Sequence, residues 1–398
     1  MAIEKNYRIF AYHQHYTKMI SAHTFVSLSF DEFQANFTHA LNTIDFKPTL
    51  AFAFISPSFP LTRIMDLFKG QGIALFGSSS GGEILFDTGT NHIGEKSAVV
   101  ILTDLPKESF RLHFTKQGML SPFELGTVLG KKTAASFRHP SAIVGASGIF
   151  MDGEALVEGI ASKTSDEMPL FGGLAGDDGL FEKTFVFTGE AITDRGAVAL
   201  VFNQNKIELT GMTSGGWISL GAEFTINRAE GNTVYEINGQ PALDMYMDYL
   251  NVKEEDLPAI GIEYPFMVKK TDKTTVLRAI TGIDSEKRAL VFAGTVPQGA
   301  VVSFSTSPGF EIMENTREKI IAFHNAHKKA DLLLLFSCIA RHIALGPLIS
   351  TEIKLASIKW KKPLAGFFTY GEIGSNTHGT SAFHNQTFTL AILHKKRN

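Results

Sequence analysis

The most reactive short stretch in this chain is Phe336-Ser-Cys-Ile-Ala-Arg-His342. An apolar run comes directly before it, which predicts a buried strand that ends there and a helix that begins there. The first turn of a helix offers unpaired backbone N–H groups and the positive end of the helix dipole, which suit an anion or a thiolate. We therefore predict that Ser337, Cys338 and Arg341 contact a ligand, with Arg341 binding its acidic group. The alternative is that the cysteine is an ordinary core residue.

Acidic residues follow glycines after three apolar segments, and together they form a repeat. The triplets Gly82-Glu83-Ile84 and Gly371-Glu372-Ile373 match residue for residue, and each Ile lies 14 positions before the next apolar segment. A looser copy runs from Leu170 to Asp178 and contains Gly173 and Asp177. Repetition indicates one structural unit used several times, so we expect these turns to converge on one place.

Converging glycine turns that carry carboxylates predict a recess for a small polar ligand. Glycine at a strand end lets the backbone come close to another group, and a carboxylate there can orient a polar ligand. Two carboxylates that met could also serve in acid–base work. Alternatively, each carboxylate bonds backbone N–H groups of its own turn and fixes the shape of that turn. The predicted ligand contacts in the turns are Gly82, Glu83, Gly173, Asp177, Tyr370 and Glu372.

A weak hydrolase pattern gives the competing function. Residues Gly77 to Gly81 match G-x-S-x-G, with Ser79 as the nucleophile, and Cys338 is the other candidate nucleophile. The motif requires a helix directly after the serine, whereas the glycines and the Asp87-Thr-Gly-Thr-Asn91 stretch that follow favour a loop. We therefore predict that the protein is not an enzyme and keep a hydrolase as the alternative.

Two pairs of histidines have metal-like spacing. His13 and His15 would share a strand face, and His324 and His327 would share a helix face. Neither pair has an evident third ligand, so zinc is not predicted. The second pair reads more simply as a solvated helix end with cations near its C-terminus.

The elements that must position these residues alternate between strands and helices. Such alternation predicts an α/β fold of repeated strand–helix–strand units, and the short returns between strands predict mixed sheets. The predicted strands are 7–15, 49–55, 72–77, 98–103, 142–149, 168–173, 197–202, 331–336, 364–368 and 387–392, and the predicted helices are 29–42, 60–69, 153–163 and a broken one over 339–354.

Composition excludes several classes of protein. The chain has a net charge of −3 with scattered cations, so no nucleic-acid surface is expected. Apolar residues make up 44% and charged residues 19%, without a run long enough for a membrane helix, so no membrane insertion is expected. A single cysteine and no apolar signal sequence at the start predict a cytoplasmic location.

Length predicts two domains, because 398 residues exceed what one ordinary core holds. The polar and glycine-containing region 203–232 is the expected seam. We place the boundary so that one domain spans 1–210 and the other 211–398.

Five motifs, in order and spacing, resemble the FIST family of prokaryotic sensory proteins. They span about residues 25 to 375, and they are 76–83, 171–178, Tyr235-Glu-Ile-Asn-Gly-Gln-Pro-Ala-Leu243, 336–341 and 366–374. The resemblance implies a FIST N-type domain over 1–210, a FIST C-type domain over 211–398, and a bacterial cytoplasmic sensor of small ligands. It also implies a separate signalling partner, such as a histidine kinase or a cyclic-di-nucleotide enzyme.

One branch of the resembled family is described as haem proteins that sense nitric oxide. On that basis His342 becomes the predicted ligand of haem iron, and Arg341 a partner for a haem propionate. The alternative for His342 is a structural role, as a hydrogen-bonded residue packed on a partly buried helix. The sequence thus predicts an intracellular sensor whose ligand is either haem, the one cofactor considered, or an amino-acid-like metabolite.

Overall fold

The computed structural model describes residues 19–149, 151–257, 259–269, 275–307, 310–375 and 381–396. The predicted strand over 7–15 and the pair His13 and His15 lie outside these ranges. Within them the chain forms three similar units and one inserted subdomain.

The first unit contains a helix between its first two strands, a helix between its second and third strands, and a β-hairpin before its last strand. Its strand β2, Leu-Ala-Phe-Ala-Phe-Ile, is buried throughout, as expected for a strand covered on both faces. The elements are β1 (Ala22–Ser27), α1 (Phe30–Thr43), β2 (Leu50–Ile55), α2 (Leu61–Gly70), β3 (Ala74–Ser79), β4 (Glu83–Asp87), β5 (Thr90–Gly94) and β6 (Ala98–Thr103).

The second unit repeats this order. Its first helix begins with a capping box between Ser121 and Glu124, with Pro122 in the first turn. The unit also has a short hairpin that the sequence analysis did not predict. Its elements are β7 (Phe110–Lys116), α3 (Pro122–Ser136), β8 (Pro140–Ala146), α4 (Gly153–Ala161), β9 (Leu170–Leu174), β10 (Val186–Phe187), β11 (Ile192–Thr193) and β12 (Gly196–Asn203).

The third unit begins with β13 (Ile207–Ser214) and is then interrupted by an inserted subdomain. The subdomain has its own sheet, in the order β18-β17-β21-β14-β15-β20-β19, and its own apolar core. Its elements are β14 (Ile218–Glu230), β15 (Thr233–Ile237), β16 (Gln240–Pro241), α5 (Ala242–Leu250), α6 (Ala259–Glu263), β17 (Phe266–Lys269), β18 (Thr275–Arg278), β19 (Ile280–Asp284), β20 (Ala289–Phe292) and β21 (Val301–Thr306).

After the subdomain the third unit resumes the common order. The predicted broken helix is two helices, α8 and α9, separated by a 3-10 turn at Gly346–Leu348. The elements are α7 (Phe310–Ala326), β22 (Leu332–Cys338), α8 (Ile339–Leu345), α9 (Ile349–Trp360), β23 (Leu364–Thr369), β24 (Glu372–Ser375), β25 (Ser381–His384) and β26 (Phe388–Lys395).

The three units exchange their hairpins in a closed cycle. Each unit forms a mixed sheet around a parallel pair, and each sheet is completed by the hairpin of another unit. The first unit gives β4–β5 to the third, the second gives β10–β11 to the first, and the third gives β24–β25 to the second. The orders are β1-β6-β2-β3-β10-β11, β7-β12-β8-β9-β24-β25 and β13-β26-β22-β23-β4-β5.

All three sheets contribute one face to a shared central core. Phe54 of the first unit packs on Phe367 and Phe336 of the third, with ring centroids 4.9 and 6.5 Å apart. Phe171 of the second unit joins the same buried cluster. The predicted α/β class with repeated units and mixed sheets is therefore confirmed. The division at 210/211 stays a prediction, and it falls inside β13.

The closed exchange of hairpins brings the backbone of Gly176 so close to that of Gly81 that no side chain fits at position 176. A Cβ atom on Gly176 would overlap the backbone nitrogen of Gly81. We expect Gly176→Ala to lower the free energy of unfolding by about 1–3 kcal/mol, because neither backbone segment can withdraw. Urea unfolding measures this.

The matched control is Gly70→Ala at the end of α2, where a Cβ meets nothing within 4 Å. Its effect should stay within about 0.5 kcal/mol. Equal free energies of unfolding for the two variants would contradict the interlocked arrangement.

Candidate functional site

The glycine turns of the three units meet, and they interlock through backbone hydrogen bonds. The amide of Gly81 donates to the carbonyl of Phe368, at 2.8 Å. The amide of Gly176 donates to the carbonyl of Ser79, at 3.1 Å. The expected convergence therefore occurs, and backbone contacts fill the space between the turns.

Glu83 closes the first of these turns. Its carboxyl accepts hydrogen bonds from the amide and hydroxyl of Ser97, at 3.1 and 2.6 Å, and contacts the hydroxyl of Ser80. The side chain is fully buried, and burial raises its pKa from 4.5 to about 8. One carboxyl thus joins the end of β3 to the start of β6.

Glu372 does the same in the third unit. It accepts from the amide and hydroxyl of Thr387, at 3.1 and 2.8 Å, and contacts the hydroxyl of Thr369. Burial raises its pKa from 4.5 to about 7. The glycines before the two glutamates have φ values of +135° and +156°, which favour glycine. These contacts realise the structural alternative, and the ligand roles of Gly82, Glu83 and Glu372 stay predictions.

Asp177 organises the corresponding loop of the second unit. Its carboxylate accepts from the amides of Phe181, Glu182 and Lys183, at 2.9, 2.7 and 2.7 Å. Its oxygen also contacts the hydroxyl of Tyr370, whose ring stacks on Phe181 with centroids 4.4 Å apart. Both predicted ligand residues therefore already have partners inside the protein.

The other predicted turn residues are also buried. Gly173 pairs with Glu372 across β9 and β24. Ser337 is fully buried, and its hydroxyl has no hydrogen-bond partner in the described part of the chain. The ligand roles of Gly173 and Ser337 stay predictions.

Neither candidate nucleophile has the surroundings that a nucleophile needs. The hydroxyl of Ser79 donates to the carbonyl of Gly176 and accepts from the amide of Phe185, both at 2.7 Å. Strand β4 follows it, where the hydrolase motif requires a helix. Cys338 is buried, and burial raises the pKa of its thiol well above the usual range. Both observations disfavour the hydrolase alternative.

Arg341 is buried and fully engaged within the protein. Its Nε and Nη2 donate to Glu352, Nη2 also donates to Thr316, and Nη1 donates to the carbonyls of Gly215 and Gln386. These contacts use all five N–H donors of the guanidinium. The acidic group that Arg341 binds is therefore Glu352, and no donor is left for a ligand carboxylate.

His342 lies on α8 and is half-buried. Its ring stacks on Phe368 with centroids 4.1 Å apart, and burial lowers the pKa of the imidazole. It does not line the large cleft that is described next.

The largest cleft described lies where the inserted subdomain joins the third unit, and its volume is about 750 Å³. One wall is a face of α7, the opposite wall is β17 and β18, and β13 with the following glycines forms the floor. Ligand sites in proteins commonly have this size and lie between domains. The lining includes Thr213, Trp217, Met267, Leu277, Lys319, Phe323, His327, Ser375, His384 and Thr387.

Residues that contact the interlocked glycine turns also adjoin this cleft. Thr387, which donates to Glu372, lines it, and Arg341 holds the carbonyl of Gly215 in its floor. Lys319 and Trp217 were not predicted as site residues, and His327 was predicted to lie at a solvated helix end. The spacing of Lys319, Ala322, Phe323 and Ala326 marks one helix face, but nothing in the sequence shows what that face opposes.

Comparison with known proteins agrees with the motif pattern. The model of the FIST N domain matches residues 49–240, and the model of the FIST C domain matches residues 242–375. The chain belongs to the FIST family. FIST domains are associated with sensing small ligands in signal transduction. Within the described ranges, no helix has both the length and the apolar character needed to cross a membrane.

One curated relative is an uncharacterized protein of Methanocaldococcus jannaschii. It is 33% identical to this FIST protein over 85 residues. That match spans 21% of this chain and 16% of the relative.

The raised carboxyl pKa values predict how stability depends on pH. A carboxyl group with a raised pKa holds its proton in the folded state after the unfolded state has lost it. Its contribution is therefore complete below pH 4.5 and lost as pH rises through about 8 for Glu83 and about 7 for Glu372. We expect the Glu83→Gln and Glu372→Gln double variant to lose less unfolding free energy over this interval than the wild type.

Urea unfolding at several pH values tests the difference, and Glu208→Gln on the partly exposed strand β13 is the matched control. Glutamine can keep the serine and threonine contacts but cannot titrate. A double variant with the wild-type pH dependence would contradict the assignment of buried, protonated glutamates.

Proposed function

We propose that this FIST protein senses a small ligand that binds in the cleft between the inserted subdomain and the third unit. The observation that carries this proposal is the position of the cleft, because α7 of the third unit and β17 and β18 of the inserted subdomain both line it. A ligand that contacts both walls has different affinities for different placements of the subdomain. Such a difference is what binding needs in order to shift a conformational equilibrium.

The links to the inserted subdomain suit this role. The connection from β13 to the subdomain runs through Ser214, Gly215, Gly216 and Trp217. Arg341 donates a hydrogen bond to the carbonyl of Gly215. The buried guanidinium of Arg278 in the subdomain pairs with Glu154 of α4. Both contacts adjoin the cleft, because Gly215 lines it and Arg278 directly follows the lining residue Leu277.

The signal then passes to a separate protein. A cytoplasmic partner such as a histidine kinase or a cyclic-di-nucleotide enzyme fits a sensor of this family. The proposal gives the protein no chemical step, because Ser79 is engaged in backbone hydrogen bonds and the thiol of Cys338 is buried and protonated.

Filling the cleft tests the proposed location. Ala322 lies on the cleft face of α7, and a phenylalanine there would occupy ligand space. We expect Ala322→Phe to weaken any ligand by about ten-fold or more, measured by thermal shift with organic acids, their amides, amines and amino acids. Ala135→Phe on the exposed surface of α3 is the matched control.

Two results would contradict the proposal. One is a wild-type protein whose melting temperature no compound of the panel raises. The other is a compound that binds wild type and Ala322→Phe equally well.

Haem is the second candidate ligand, because two histidines, His327 and His384, line the same cleft as Lys319. The residues of the cleft fit haem better than the surroundings of His342 do, because the His342 ring stacks on Phe368. One of the cleft histidines would hold the iron, and Lys319 would meet a propionate. Bound haem would supply an iron centre for a gas such as nitric oxide.

Absorption spectra of protein titrated with hemin separate the two ligand classes. If haem binds in the cleft, His327→Ala or His384→Ala removes or shifts the Soret band, whereas His342→Ala leaves it unchanged. A Soret band lost only in His342→Ala would instead support the residue predicted from the sequence. A wild-type protein without a Soret band would exclude haem.

A further inference from the structure

Lys319 is a cation in the cleft without an anionic partner. It lies on α7 in the row that also contains Ala322, Phe323 and Ala326, and this row forms one wall. Its side chain is exposed towards the cleft, yet the surrounding protein lowers its pKa by desolvation, and the charge of Arg341 adds to this effect. Among the described residues no carboxylate forms an ion pair with it.

The lining of the cleft is free of acidic side chains in the ranges that the structure describes. Its polar groups are hydroxyls, two imidazoles and Lys319. Buried cations elsewhere in the protein have carboxylate partners, since Arg341 pairs with Glu352 and Arg278 with Glu154. The cleft therefore has a positive charge that no carboxylate of its described lining neutralises.

Trp217 contributes an aromatic ring to the wall of the cleft. It is part of the cleft wall and only 6% exposed, and its indole N–H has no hydrogen-bond acceptor in the described part of the chain. Buried donors without an acceptor are rare in folded proteins. The indole nitrogen itself has no exposed surface, so Trp217 offers its ring and not its N–H to the cleft.

The rest of the wall is apolar. Side chains of this kind contact the hydrocarbon or aromatic part of a ligand and leave its charged end to the few polar groups. They are Met212, Trp217, Met267, Leu277 and Phe323.

We propose that the ligand is a small organic anion, a monocarboxylate with an apolar body, whose carboxylate binds Lys319. This inference rests on the proposed sensing function and specifies its ligand class. A zwitterionic amino acid fits less well, because its ammonium group would find no carboxylate among the described lining residues. The body of the anion lies against Trp217 and Phe323.

Matched ligands that differ only in charge test the inference. Hexanoate and benzoate, hexanamide and benzamide, benzylamine and phenylalanine are titrated into the full chain by calorimetry, up to about 10 mM. We expect the two acids to bind at least ten-fold more tightly than their amides, and the amine and the amino acid to bind more weakly still.

Variants then assign the charge to one residue. Lys319→Met keeps the length of the side chain and removes its charge, so acid binding should fall about ten- to one hundred-fold while amide binding is unchanged. Lys319→Arg should restore most of the affinity for acids. Lys354→Met, which removes an exposed lysine on α9, is the matched control and should have no effect.

The outcomes separate this inference from the function on which it rests. If amides or the amine bind as tightly as the acids and Ala322→Phe abolishes that binding, the cleft is the ligand site but the anion assignment is wrong. If acids bind wild type, Lys319→Met and Ala322→Phe alike, both proposals are wrong. An absence of acid binding to the wild type overturns the anion assignment.

Discussion

The closed exchange of hairpins is the constraint on which the rest of this fold depends. No sheet is complete without a hairpin from another unit, so the three sheets must form together around their common core. Each hairpin leaves its own unit at a turn, and two of these turns are closed by a buried glutamate. The position of the turns therefore decides the position of the sheets.

Buried glutamates suit this task because they can exist in the protonated form. A charged carboxylate at these sites would lose its hydration without gaining a cation, which is why burial raises the pKa of Glu83 and Glu372. A protonated carboxyl can donate one hydrogen bond and accept others, and it thereby joins two strand ends. Residues that resemble ligand contacts in a sequence can thus have a structural role, in which they connect two strand ends by hydrogen bonds.

Periodicity and repetition predicted the fold well and the cleft poorly. The matching Gly-Glu-Ile triplets correctly indicated repeated units with converging turns. The apolar runs marked nine strands within a few residues, and these are β2, β3, β6, β8, β9, β12, β22, β23 and β26. The cleft joins β13, α7 and β18, which lie far apart in the chain, and its lysine has no distinctive neighbours. The charge of Arg341 predicts an anionic partner but does not identify it, because Glu352 and the two carbonyls that use its donors are distant in sequence or carry no motif.

The inserted subdomain explains why this cleft lies at the third unit. The first and second units pass directly from their first strand to a helix, whereas the third carries β14 to β21 between β13 and α7. This insertion supplies β17 and β18, which line the cleft together with the face of α7 that bears Lys319. Arg341 links the cleft to the interlocked turns. It donates to the carbonyl of Gly215 in the cleft floor and to the carbonyl of Gln386. The next residue, Thr387, donates to Glu372. A change in the cleft therefore has a direct contact path to the element that holds the three sheets together.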